Sequence, residues 1–123
     1  MKTTLTSGAL GAMLFASTCA FAQNAPVKVG LMLPATGTFA NLGNMIENGF
    51  KMYVAEQGGK LAGREIVYAK VDDESDPAKA SDNVNKLIKR DQVDVIVGTV
   101  HSGVALAMAK AAKESNTLLI VPN

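Results

Sequence analysis

Four short apolar runs constrain this chain more than anything else in it: VKVGLML at 27–33, REIVYAKV at 64–71, VDVIVGTV at 93–100 and TLLIVP at 117–122. Each is rich in Val, Ile or Leu, and the first is apolar almost throughout, as a strand covered on both faces must be. The stretches between them have room for one helix each. Strand and helix in strict alternation, with short connections, require a parallel sheet with right-handed crossovers. The expected class is therefore α/β, in the order β-α-β-α-β-α-β, with helices on both faces of a sheet of about four strands.

The helical stretches carry their own signals. From Asn44, NMIENGFKMYVAEQGG sets Ile46, Gly49, Phe50, Tyr53 and Val54 on one stripe and stops at Gly58 and Gly59, which predicts a helix with Phe50 and Tyr53 in the core. Asp76 followed by Pro77 predicts a helix start, the carboxylate accepting orphan amides and the proline suiting the first turn. Ala80, Val84, Leu87 and Ile88 mark the inner face of that helix, and Lys89 and Arg90 favour the negative end of its dipole. A third helix is expected from Ser102, with Ala105, Met108, Ala109 and Ala112 on its stripe.

Composition excludes some classes of partner. The 123 residues carry a net charge of +1 with 19% charged and 48% hydrophobic residues, which gives no electrostatic case for nucleic acid or for a membrane surface. At the start of the chain, Lys2, the apolar stretch Ala9 to Phe15 and AFA at 20–22 read as a signal peptide, 1–22, cleaved near Ala22. That apolar stretch falls short of the ~20 residues a membrane span requires. Cleavage removes Cys19 and leaves 23–123 without cysteine, so thiol chemistry and cysteine metal sites are ruled out there.

In an open parallel sheet, ligands bind beyond the carboxyl ends of the strands, where neighbouring strands lead to opposite faces. With strand order 2-1-3-4 that point lies between the first and third strands. Two loops meet there, PATGTFANLG at 34–43 and GTVHSG at 98–103, and neither contains Asp, Glu, Lys or Arg. A neutral crevice at two helix starts favours an anion or a carboxylate, because the first amides of a helix have no partner within it and carry the positive end of its dipole. Ser102 adds a hydroxyl donor and Gly103 permits close approach to the backbone, though both residues fit equally as N-cap and turn. His101 reads either as a ligand contact or as an exposed loop histidine.

Other chemistries fail on particular residues. GTVHSG has the glycine spacing of a P-loop, but Val104 and Ala105 stand where Lys and Ser or Thr must reach phosphate and magnesium. The first strand is followed by proline instead of the G-x-G-x-x-G of a dinucleotide site. The run Asp72, Asp73, Glu74 and Asp76 offers oxygen ligands for a hard cation, but reads better as a solvated turn with one N-cap. His101 beside Ser102 gives no G-x-S-x-G elbow, which leaves a small secreted hydrolase as a minor alternative.

Taken in order, VGLMLPATGTFANLGN, GGKLAGREI, VDDESDPAKASDNVNKLI, VDVIVGTVHSG and TLLIVPN resemble the N-terminal part of the type I periplasmic substrate-binding proteins, the leucine-binding-protein-like group of ABC importers. The resemblance runs from Val27 to Asn123 and implies that 23–123 forms part of the N-terminal lobe of a two-lobed fold. It further implies a periplasmic protein that captures a small carboxylate for an ABC permease, with no cofactor, metal or catalysis. In that family the serine of the turn after the third strand and the amide that follows hold the ligand carboxylate, and these positions match Ser102 and Gly103. Members that bind branched-chain amino acids commonly carry an aromatic residue where this chain has Leu42, before Gly43. PATGTFANLGN with GTVHSGVA looks most like members that import aromatic carboxylates such as benzoate-like or coumarate-like acids, with Phe39 and Leu42 beside the ring. The candidate ligand set is Ser102, Gly103, His101, Thr99, Phe39 and Leu42. A ligand-sensing domain of the same fold is the alternative. A partial lobe should also expose apolar surface, and so be marginally stable or associate.

Overall fold

β1, Val27–Leu33, is buried along nearly its whole length, as its unbroken apolar sequence requires, because it lies in the middle of the sheet between two parallel neighbours. The computed structural model describes residues 25–122, so the segment read as a signal peptide lies outside the described residues. After β1 come α1 (Ala40–Glu56), β2 (Lys60–Leu61), β3 (Arg64–Asp72) and α2 (Pro77–Asn85), which continues into a π-helical turn at Lys86–Arg90. β4 (Val95–Val97), α3 (Ser102–Glu114) and β5 (Leu118–Ile120) complete the chain.

The sheet runs β2-β3-β1-β4-β5. Its four longer-range members are parallel and stand in the expected 2-1-3-4 order, with Val29 opposite both Tyr68 and Val95. β2 is an addition that sequence did not anticipate. It pairs antiparallel with the start of β3 through a two-residue turn at Ala62 and Gly63, whose φ values of 49° and 79° give the twist a tight hairpin needs.

α2 and α3 pack together on one face of the sheet, where Met32, Val84, Leu87, Ile96, Val104 and Met108 form the main core. α1 covers the other face above Val27, Val29 and Leu31, with Phe50, Ile66, Val95 and Val97 around them. α2 follows expectation: Asp76 caps it by accepting the Ala78 amide at 2.9 Å, Pro77 opens it, and Ala80, Val84 and Leu87 are buried.

The other two helices keep only part of their expected faces: Phe50 and Val54 turn inward on α1 and Met108 and Ala112 on α3, while other positions differ. α1 begins at Ala40, earlier than Asn44, and its buried residues are Gly43, Glu47 and Val54, while Tyr53 is 60% exposed and Gly49 open to solvent. The early start follows from a close approach: a Cβ on Gly43 would lie 2.0 Å from the Pro34 carbonyl oxygen, so only glycine lets the first turn pack onto the end of β1. Glu47 can face inward because Lys51 and Lys70 both pair with it. In α3 the buried residues are Val104, Met108, Ala111 and Ala112, whereas Ala109 is exposed and Ala105 only half-buried.

β5 is an edge strand. Register places Leu118 and Ile120 beside Val95 and Val97, on the α1 face of the sheet, where they remain 62% and 49% exposed. With Val121, and with Leu106 on α3, they form the exposed apolar surface expected of a partial lobe.

Candidate functional site

β1 and β4 are neighbours whose following helices lie on opposite faces of the sheet, so the loops 34–39 and 98–101 part at their carboxyl ends and leave a crevice between them. Gly98 permits the second loop to leave β4 closely: a Cβ there would sit 1.9 Å from the Met32 carbonyl oxygen. The loops touch through two rings, Phe39 and His101, whose centroids are 5.8 Å apart and tilted by 57°.

His101 is the N-cap of α3, a role that sequence gave to Ser102. Its Nδ1 accepts the amides of Gly103 at 3.0 Å and Val104 at 3.4 Å, while its carbonyl accepts the amide of Ala105. An unprotonated imidazole nitrogen supplies the same acceptor as a serine oxygen, so the histidine takes the cap and is half-buried, not an idle exposed residue. Ser102 becomes the first helical residue and is exposed at the crevice. Gly103 faces the His101 ring and Pro77, the nearest side chains a Cβ there would meet.

Thr99 lies elsewhere than the crevice surface. It is 1% exposed, and its hydroxyl donates to Asp73 in a short hydrogen bond. Leu42, on the first turns of α1, is half-exposed. Of the sequence-derived set, then, Phe39 and His101 meet, Ser102 and Gly103 follow on the same helix start, and Thr99 points inward.

Sequence reasoning missed three features. One is a groove of about 370 Å³ along the outer side of α3, lined by Val100, Ser102, Ala105, Leu106, Ala109 and Val121, which brings an apolar wall to the Ser102 side of the crevice. The other two are Asp72 and Asp73, which underlie the loops and are not a solvated turn. Asp72 accepts the amides of Ala35 at 2.9 Å and Thr36 at 3.4 Å and the Thr36 hydroxyl at 2.7 Å. Burial pushes the Asp72 carboxyl up, but the Thr36 hydroxyl and the amides of Glu74, Ala35 and Thr36 outweigh it and hold it below the usual range. Asp73 is fully buried and also accepts the Ser75 amide at 2.8 Å. Among the described residues no group of His, Cys, Asp and Glu side chains is arranged to hold a metal ion.

Chemically, the crevice presents a helix start whose Gly103 and Val104 amides are taken by the His101 ring nitrogen, an exposed hydroxyl at Ser102, two aromatic rings and an apolar wall.

A family model described as periplasmic binding protein matches residues 26–123. The Leu/Ile/Val-binding protein BraC3 of Rhizobium johnstonii is 30% identical over 121 residues, covering 97% of this chain and 32% of its own length. The solute-binding protein of an R. palustris ABC transporter, solved in complex with benzoate, is 55% identical with a TM-score of 0.78 over 80% of this chain and 28% of that one. A second such protein, from Rhodopseudomonas palustris BisB5 in complex with 3,4-dihydroxybenzoic acid, is 35% identical with a TM-score of 0.74, over 78% of this chain and 26% of that one. The chain thus spans about a third or less of the length of these relatives. Its sheet order, its crevice at the carboxyl ends of β1 and β4 and these likenesses agree: the chain belongs to the periplasmic binding protein family and has the architecture of part of the N-terminal lobe of the type I fold.

Proposed function

We propose that this chain belongs to an exported, periplasmic solute-binding protein that captures a small aromatic carboxylate of the benzoate type and delivers it to an ABC permease in the membrane. The observation that carries this reading is the helix start of α3, where the His101 imidazole rests on the Gly103 and Val104 amides opposite Phe39. A ligand carboxylate takes the place of that nitrogen, accepts the Gly103 amide and receives a further hydrogen bond from the Ser102 hydroxyl. Phe39 and Leu42 flank the ring. Asp72 turns its carboxyl oxygens to the Ala35 amide and to the Thr36 amide and hydroxyl. Likeness to a protein solved with benzoate, at 55% identity, supports the ligand class.

Function consists of capture, closure of the lobes, docking and release, without a chemical step. The signal peptide read at 1–22 supports export.

A second reading, a branched-chain amino acid as ligand, is favoured by the likeness to the Leu/Ile/Val-binding protein. Calorimetric titration of the purified protein with benzoate, 3,4-dihydroxybenzoate and leucine separates the two. Benzoate binding that weakens about tenfold in Ser102→Ala, the loss of one hydrogen bond to a charged group, supports the proposal. Equal affinity in both proteins, or saturation by leucine alone, overturns it.

A further inference from the structure

Asp72 ends β3 and Asp73 follows it, and their side chains reach different loops, Asp72 the loop 34–39 and Asp73 the loop 98–101. The register identifies the two sides of the sheet. Val29 pairs with Tyr68 and Leu33 with Asp72, which places Asp72 on the α1 face; Met32 pairs with Val71, and both belong with the core under α2 and α3.

Those are the two sides toward which the crevice loops diverge. The loop 34–39 leads to α1, and Asp72 grips it at Ala35 and Thr36. The loop 98–101 leads to α3, and Asp73 grips it through the Thr99 hydroxyl. The turn carrying both aspartates is itself fixed, since the buried Asn83 of α2 donates to the Asp72 carbonyl at 3.3 Å and the Asp73 amide donates to the Leu33 carbonyl at 3.4 Å. Gly37 rests on the same turn, where a Cβ would lie 2.7 Å from the Glu74 carbonyl oxygen.

The geometry points to Asp72 and Asp73 as a pair of positioning residues, each holding one of the two loops so that Phe39 on one and His101 on the other face a common ligand. This inference rests on the carboxylate-binding role proposed above and adds to it residues that touch no ligand. It gives Thr99 its part: the hydroxyl serves the loop from below, and the ligand meets what the loop presents. Loops held before the ligand arrives lose less freedom on binding, even though the His101 nitrogen must still give up the Gly103 amide.

The test uses benzoate as probe and two readouts, affinity and amide hydrogen exchange of the loops. Thr99→Val keeps the side-chain shape and removes the hydroxyl, so a merely space-filling threonine would tolerate it. The expected result is faster exchange over 98–101 with β1 amides unchanged, and benzoate affinity lower by about tenfold. Thr99→Ser, which keeps the hydroxyl, restores both. Asp72→Ala does the same to 35–38 and keeps the test decisive if Thr99→Val does not fold. Benzoate affinity within about twofold of the wild type in Thr99→Val or Asp72→Ala, with loop exchange unchanged, overturns the inference. Failure of the wild-type protein itself to bind benzoate is a different result, seen before any substitution is made, and removes the functional reading together with this one.

Discussion

The His101 Nδ1 atom accepts the Gly103 amide at 3.0 Å, so the chain's one histidine closes the helix start at which a carboxylate would bind. The cap needs an acceptor there, and that dictates which substitutions it tolerates. His101→Ala removes it and is expected to destabilise the protein by about 1 kcal/mol, a fall of roughly 4–8 °C in melting temperature for a domain of this size. His101→Asn, which offers an oxygen acceptor at the same place, should recover most of the loss, as thermal unfolding followed by circular dichroism will show.

Glu47 makes stability depend on acid. Burial raises its pKa, but hydrogen bonds and charge from Lys51 and Lys70 outweigh that and hold it below the ordinary value of 4.5. A carboxylate depressed on folding contributes stability that is complete above its unfolded pKa and is lost as pH falls through the folded one. Asp72, depressed from 3.8 by its hydrogen bonds, acts in the same direction. Urea midpoints should therefore be level from neutral pH down to the unfolded carboxylate range and fall below it. Glu47→Gln should lower the plateau by about 1 kcal/mol, the lysines being half-exposed, and flatten the acid limb.

Gly43 tests the packing that positions the first loop. With the Pro34 carbonyl 2.0 Å from where a Cβ would stand, Gly43→Ala must push α1 off the end of β1. A loss of about 1–3 kcal/mol in urea unfolding is expected, against a gain of about 0.5–1 kcal/mol for Gly49→Ala, an exposed position inside α1 where nothing stands within 4 Å.

The open edge at β5 predicts association. Among the described residues β4 is the one strand beside β5, and Leu118 and Ile120 are exposed there, a surface that invites a second chain. Sedimentation velocity of residues 23–123 should show concentration-dependent association, and Leu118→Lys should suppress it.

What the sequence revealed depended on how local each signal was. β1, β3, the face of α2 and its Asp76 cap follow from neighbouring residues, and all appear where the pattern puts them. The face of α3 was misjudged because a helix so rich in alanine marks no side strongly, and Val104 and Ala111 turned inward in place of Ala105 and Ala109. On α1 the expected Phe50 and Val54 do face the sheet, but an apolar stripe has no place for Glu47, which becomes tolerable inside only once Lys70, on another element, arrives beside it. The candidate site divides in the same way. Loop composition singles out Ser102 and Gly103 as candidates and the resemblance adds Phe39, but a separation of 26 residues hides the bond between Asp73 and Thr99, and one of 37 the bond between Asp72 and Ala35. A histidine at an N-cap was passed over because serine is the commoner cap.

The central claim, a carboxylate at the start of α3, is tested most directly by titrating benzoate into the nitrogen-15-labelled protein and following its amide and imidazole resonances. The Ser102, Gly103 and Val104 amides are expected to shift together to saturation while the His101 Nδ1 signal moves as the imidazole gives up its amide partners. Saturable shifts confined to other parts of the chain, or none at all, would contradict it.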